Sequence, residues 1–192
     1  MDSNHSQIAK ALLDVIPYGM DDPLTATIIG ANIQAIVGLN TRIREERHQP
    51  DDAFIQTRNQ YDASKILKSL STEQEASVFR LGVIQADLCI PILTYVYGEA
   101  QLGGKAAVIS LYRLHDVEQD LFYERAAKVA IHEVGHLIGL EHCLGIDCLM
   151  RFSKQLEQLD RLPMHFCSTC EYEISRRIRQ IEAINSDNGE IS

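Results

Sequence analysis

His132, Glu133, His136, Gly139 and His142 stand in the pattern His-Glu-x-x-His-x-x-Gly-x-x-His, and each spacing has a mechanical consequence. On a helix turning ~100° per residue, His132 and His136 fall about 40° apart and one turn up, so both imidazoles can reach one metal ion. Glu133 projects beside them, placed to take a proton from a metal-activated water rather than to ligate. If the helix continued, His142 would sit ~240° round from His136, on the wrong face. The helix must therefore stop. Gly139 is the residue suited to stop it, because glycine enters the left-handed conformation at little cost. Three histidines leave a fourth position on zinc for water, which is a catalytic rather than a closed arrangement. Val134, Leu137, Ile138 and Leu140 suit a helix with one buried flank and one face on the metal. The plain alternative is a surface helix with scattered histidines. The added glycine and third histidine cut chance matches on the order of several-hundred-fold relative to the bare His-Glu-x-x-His.

Four of the five cysteines fall within 28 residues as two close pairs, Cys143 with Cys148 and Cys167 with Cys170. Paired thiolates at such spacings suit a tetrahedral zinc with no open position. Two disulfides in a secreted protein are the alternative. Met150, two residues after Cys148, is either a core filler or the methionine of a Met-turn beneath a catalytic zinc.

The combined signature, HExxHxxGxxHC-x4-C-x-M-x16-C-x-x-C over residues 132–170, resembles the archaemetzincins, a branch of the metzincin metallopeptidases. Weaker resemblance extends upstream, through Gly98–Arg113 and Phe122–Ala130. The resemblance implies a zinc-dependent peptidase acting on a peptide or protein substrate. It implies a catalytic zinc on His132, His136 and His142, with Glu133 as general base. It also implies a second, structural zinc on Cys143, Cys148, Cys167 and Cys170, so two zinc ions in all, with Gly139 and Met150 as structural support. One departure stands out: metzincins such as the astacins place a tyrosine after the Met-turn methionine, whereas Arg151-Phe152 follow here, so no phenolic ligand is visible at that point.

With 192 residues, 45% of them hydrophobic, the chain is long enough to bury a substantial core as one domain. A formal net charge of −9 argues against nucleic acid, which needs clustered Lys and Arg. The longest nearly apolar run, Leu88–Tyr97, is too short to span a bilayer. The first residues, Met1–Ile8, are polar, and the next apolar stretch is broken by Asp14 and Pro17, so no signal peptide is expected. A cytoplasmic setting follows, which favours zinc over disulfides for the cysteines. A monomer without membrane attachment is expected. Cys89, within Leu88–Leu93, reads as a buried core thiol rather than a zinc-blocking switch.

The elements that must position these residues read as follows. Leu12–Ile16 is a first strand, Pro17–Gly19 a turn, and Pro23 to Leu39 a helix opened by proline. Arg42–Arg47 suits an edge strand. Asp62 caps a short amphipathic helix. Strand-like runs follow at Arg80–Ala86, Pro91–Gly98 and Lys105–Arg113, then the long motif helix Glu118–Leu140 and a charged helix Tyr172–Ile184. Asn185–Ser192 reads as a disordered tail. The expected fold is α/β (α+β): a small twisted mixed sheet packed on the active-site helix, with a smaller zinc-bound C-terminal part. Residues 1–139 would form the N-terminal subdomain, 140–184 the C-terminal one with the Met-turn and the cysteines, and 185–192 the tail. By the same resemblance, Gly103–Ser110 is a candidate for the edge strand that pairs with extended substrate; an ordinary internal strand is the equal alternative. His5, His48, His115 and His165 have no assigned role, and His165 is not expected to replace a cysteine.

Because His142 adjoins Cys143, and Cys148 lies one residue from Met150, both metal sites share a loop, and losing the second zinc is expected to weaken the first. Two other functions keep weight on sequence alone. One is a zinc hydrolase of non-peptide amides. The other is a non-catalytic zinc protein, against which the intact Glu133 speaks.

Overall fold

Phe79–Ile84 and Ala106–Ser110 are buried along their whole length, as happens when central strands are covered on both faces. They are the heart of a computed structural model that describes residues 12–20, 23–73 and 78–189, with 185–189 as backbone only. In chain order the elements are β1 (Leu12–Tyr18), α1 (Pro23–Val37), β2 (Asn40–Ile43), β3 (Phe54–Ile55), β4 (Gln60–Asp62), α2 (Ala63–Thr72), β5 (Phe79–Ile84), β6 (Leu88–Ile90), β7 (Leu93–Val96), β8 (Gly98–Ala100), β9 (Ala106–Ser110), α3 (Gln119–Ile138), α4 (Leu156–Asp160) and α5 (Ser168–Gly189). One sheet has the order β2-β1-β5-β9-β8 and a second the order β3-β4-β6-β7. The first is parallel except for β8, which runs antiparallel to β9.

Alternation along the strands sorts the core into two layers. Leu81, Val83, Ala107 and Ile109 join residues of α1 and α3, among them Ile29, Ile33, Ala130 and Val134, in the larger layer. Ile84, Ala106 and Val108 face the other way onto Ile66 and Leu70 of α2. The sheet therefore lies between α2 and the α1–α3 pair, with α3 held as one wall of the larger core. The mixed α/β architecture agrees with the expectation from sequence.

Caps and periodicity locate the helices. Pro23 opens α1, and the Asp62 side chain accepts a 2.9 Å bond from the Ser64 N–H to cap α2. Several local readings need correction. β1 runs through Pro17 to Tyr18, and the turn begins at Gly19, where φ is +57°. The polar strand pairs over Asn40–Ile43, and beyond it the Arg44 and Arg47 N–H groups still bond the Val15 and Pro17 carbonyls of β1. The run Pro91–Gly98 is divided: Pro91-Ile92 turn the chain from β6 into β7, and Gly98 begins a strand of the other sheet. Of the two readings open for Gly103–Ser110 the internal strand holds, since β9 is flanked by β5 and β8, and the sheet ends at β2 and β8 among the described residues. Helix α5 starts at Ser168 and continues to Gly189, into the stretch read as a tail. The N-terminal stretch before Leu12, with its polar leader and His5, and the last residues 190–192 lie outside the described residues.

Candidate active site

The motif helix ends where its glycine dictates. Gly139 adopts φ +99°, its N–H bonds the His136 carbonyl, and the Leu140 N–H bonds the Gly135 carbonyl. This closing pattern reverses the chain. It carries His142 back to the face of α3 that holds His132 and His136. The three imidazole rings stand with centroids 4.8–5.2 Å apart, and one ring nitrogen from each lies within 4.8 Å of the others.

Two backbone carbonyls set the direction of these rings. His132 Nδ1 lies 2.9 Å from the Leu149 carbonyl and His136 Nδ1 lies 2.6 Å from the Leu140 carbonyl. A carbonyl only accepts, so each Nδ1 donates and each Nε2 presents its lone pair. The two Nε2 atoms are 3.1 Å apart. Neutral nitrogens have no reason to converge so closely unless something lies between them, and ligands of one tetrahedral zinc stand about 3.3 Å apart for the usual Zn–N length. Burial pushes His132 down to about 4 and lowers His136 and His142 as well, which keeps all three in the neutral form that binds metal at neutral pH.

Glu133 is buried beside this group. Burial first, and the Glu99 carboxylate second, push it up to about 8. A carboxylate so placed ionises readily only next to a compensating cation, so it too suits a divalent ion at the histidines. Room for it comes from Gly98 at the head of β8: a Cβ there would lie 2.6 Å from Glu133 Cγ and 2.8 Å from its Oε1. Met150 is fully buried under the helix, against Gly135, where a Cβ would run into its sulfur. Phe152 stacks obliquely on His142 at 5.0 Å.

The cysteines form a second cluster. Sγ atoms of Cys143, Cys148, Cys167 and Cys170 lie within 4.8 Å of one another, and all five cysteines are free, so the disulfide alternative is not what this fold holds. Cys143 and Cys167 stand 3.8 Å apart, the ligand spacing of about 3.8 Å that four thiolates on one zinc require. Gly145 and Cys167 donate backbone N–H groups to Cys143 and Cys148. The Cys170 N–H helps hold Cys167 down at about 7. His165 is exposed, 3.2 Å from Asp147, and stays outside the cluster. Cys89 is buried.

A cleft of about 770 Å³ opens over the histidines. Its upper wall is the β7–β8 segment, including Tyr95 and Tyr97, and its lower wall includes Leu149, Phe152 and Leu159. At one end Tyr95 reaches across to the Lys154 carbonyl at 3.3 Å, while Arg113, pinned by Asp87 at 2.7 and 2.8 Å, lies 4.1 Å over its ring.

All ten residues singled out from sequence thus fall in these two clusters or directly against them. Sequence reasoning missed the positioning carbonyls of Leu149 and Leu140, which every residue type possesses. It also missed the steric role of Gly98, although that residue heads a stretch already noticed.

The profile of peptidase family M54 matches residues 8–176. The chain belongs to that family, the archaemetzincins. It is similar to the archaemetzincin of Methanopyrus kandleri, 34% identical over 140 residues, which cover 72% of this chain and 80% of that protein. The archaemetzincin of Archaeoglobus fulgidus is 40% identical over 118 residues, covering 62% and 71%. The crystal structure of the M. kandleri protein superposes with a TM-score of 0.81 at 30% identity, covering 88% of this chain and 96% of that one. That of the A. fulgidus protein complexed with malonate gives 0.77 at 30% identity, covering 84% and 99%. As a member of this family the chain is a zinc metallopeptidase. Among the described residues no helix is long and apolar enough to cross a membrane.

Proposed function

We propose that this archaemetzincin hydrolyses peptide bonds at the three-histidine site, with Glu133 as general base and a second zinc in the four-cysteine site. The observation that carries the reading is the convergence of His132, His136 and His142 beside the buried Glu133 at the floor of an open cleft. A zinc ion held by the three imidazoles would polarise the scissile carbonyl and bring the pKa of its water towards neutral. Glu133 accepts the proton of the attacking water and then delivers it to the leaving amine. Strand β8, the open edge of its sheet, offers main-chain groups to an extended peptide lying along the cleft. Leu149 and Leu140 keep two imidazoles in the ligating tautomer. The four cysteines, reduced and zinc-bound, suit a cytoplasmic setting.

Glu133→Gln is the direct test. It keeps the shape and removes the base, so peptide turnover should fall by about 10²–10⁴-fold with metal content unchanged. Full activity in that variant contradicts the assignment.

A further inference from the structure

The lower rim of the catalytic site is made from the backbone of the cysteine loop. The Leu149 carbonyl, immediately after Cys148, accepts the bond that orients His132. The next residue, Met150, supports α3 at Gly135, and its carbonyl accepts the N–H of Cys143 at 2.9 Å, which closes the loop on itself. Cys143 in turn follows His142 directly. The Leu149 N–H bonds the His165 carbonyl at 2.9 Å, and the Cys167 N–H reaches Cys148 Sγ at 3.4 Å. Leu149 is therefore held on one side by the segment that carries Cys167 and on the other by a catalytic imidazole. From there α5, which bears Cys170, returns to the end of the motif helix, where Arg177 donates to the Ile138 carbonyl at 3.3 Å.

The two ends of this loop are packed, with Leu140, Cys148, Leu149 and Met150 buried in the core, but its middle is not. Leu144 and Ile146 are almost fully exposed, and the residues from Leu140 to Met150 form no helix or strand. Four thiols without a shared ion have no reason to stay together, whereas one ion draws all four chain positions to a point.

We infer that the four-cysteine site is a positioning device for the catalytic centre: its metal sets the affinity of the three histidines, although no cysteine touches them. The inference rests on the two-site reading above. Partners that orient a ligating histidine are worth about 10–100-fold in metal affinity. Emptying the cysteine site should therefore weaken the histidine site by about tenfold or more, since both the Leu149 carbonyl and the His142 attachment are released. Linkage makes the effect reciprocal: filling the histidine site must tighten the cysteine site by the same factor.

The test is cobalt(II) binding at the histidine site, followed by visible absorption. Protein whose cysteine site holds zinc is compared with the Cys167→Ser variant. Weaker binding by about tenfold or more is expected in the variant, and equal affinity in a variant with native circular dichroism overturns the inference. Where that variant does not fold, the reciprocal arm decides it. Chelator competition for the cysteine-bound zinc of the otherwise unaltered chain is compared with that of His136→Ala, which removes only a histidine ligand. Equal zinc affinity in the two overturns the inference as well. Failure of the two-site reading gives a different signature, in which the wild-type protein binds no cobalt at a histidine-type site.

Discussion

At the scale of single residues, the proposed chemistry depends on where Glu133 sits, and Gly98 makes room for it there. Its missing Cβ leaves the space that the glutamate side chain occupies. Gly98→Ala should displace the carboxylate while leaving every candidate metal ligand in place. A shift of this size at a catalytic group is worth on the order of 10²-fold in rate. Turnover should drop with metal content preserved, which parallel activity and elemental measurements would read; an unaffected rate would mean that Glu133 is not the base or need not stand there. Single residues also mark the limit of what the sequence discloses. Side chains that can ligate or move protons have few chemical types, so the three histidines and four cysteines that the fold gathers into two clusters, and Glu133 beside them, stood out by type and spacing. The Leu149 and Leu140 carbonyls did not, because a backbone acceptor carries no signature. Phe152 shows the same divide: its identity ruled out a phenol, but its stacking on His142 emerges only once the chain has turned at Gly139.

At the scale of elements, the site depends on the rigidity of α3, whose N-terminal half is fastened to α4. Arg125 grips Asp160 through bonds of 2.7 and 2.8 Å and also bonds Asp116 at 3.0 Å. One turn nearer the site, buried Lys128 donates to the carbonyls of Leu159 and Asp160. The bond from Arg125 holds the Asp160 carboxyl below its usual range. Stabilisation from a depressed carboxylate is present above the ordinary aspartate value of about 3.9 and is lost as pH falls through the lower folded value. Denaturant midpoints measured down to about pH 3 should therefore fall more steeply in the wild-type protein than in Asp160→Asn; matching profiles would show that the clasp does not stabilise the fold. Metal release on acidification affects both proteins alike, so their difference isolates this one group. Helices α1, α2 and α3 were readable in advance because Pro23, Asp62 and Gly139 punctuate clear apolar periodicity. The strands from Leu88 to Ala100 were not. One apolar run there serves two sheets, and whether a strand is central or at an edge depends on partners far along the chain. β9 became internal because β8 folds back against it, a pairing that no local pattern announces. The end of α5 was misread because its place at the terminus argued for a tail, yet the helix continues to Gly189 from a segment anchored by Ile174 and Ile178.

At the scale of the whole molecule, two side-chain clusters that could hold metal and the cleft over the histidines meet at a single loop. Membership of peptidase family M54 makes peptides the substrate class, and the cleft over the histidines runs past β8, along which an extended peptide is proposed to lie. The proposed chemistry needs two donor sets that hold two metal ions with different tenacity: three histidines with an open position, and four cysteines without one. Elemental analysis of the purified protein before and after mild chelation, alongside His136→Ala, tests it most directly. The account predicts about two zinc ions per chain, one of them lost on chelation and absent from the variant, and one retained in both. A single zinc that survives chelation and is untouched by His136→Ala would contradict it, leaving the histidine cluster without the metal on which the proposed chemistry depends.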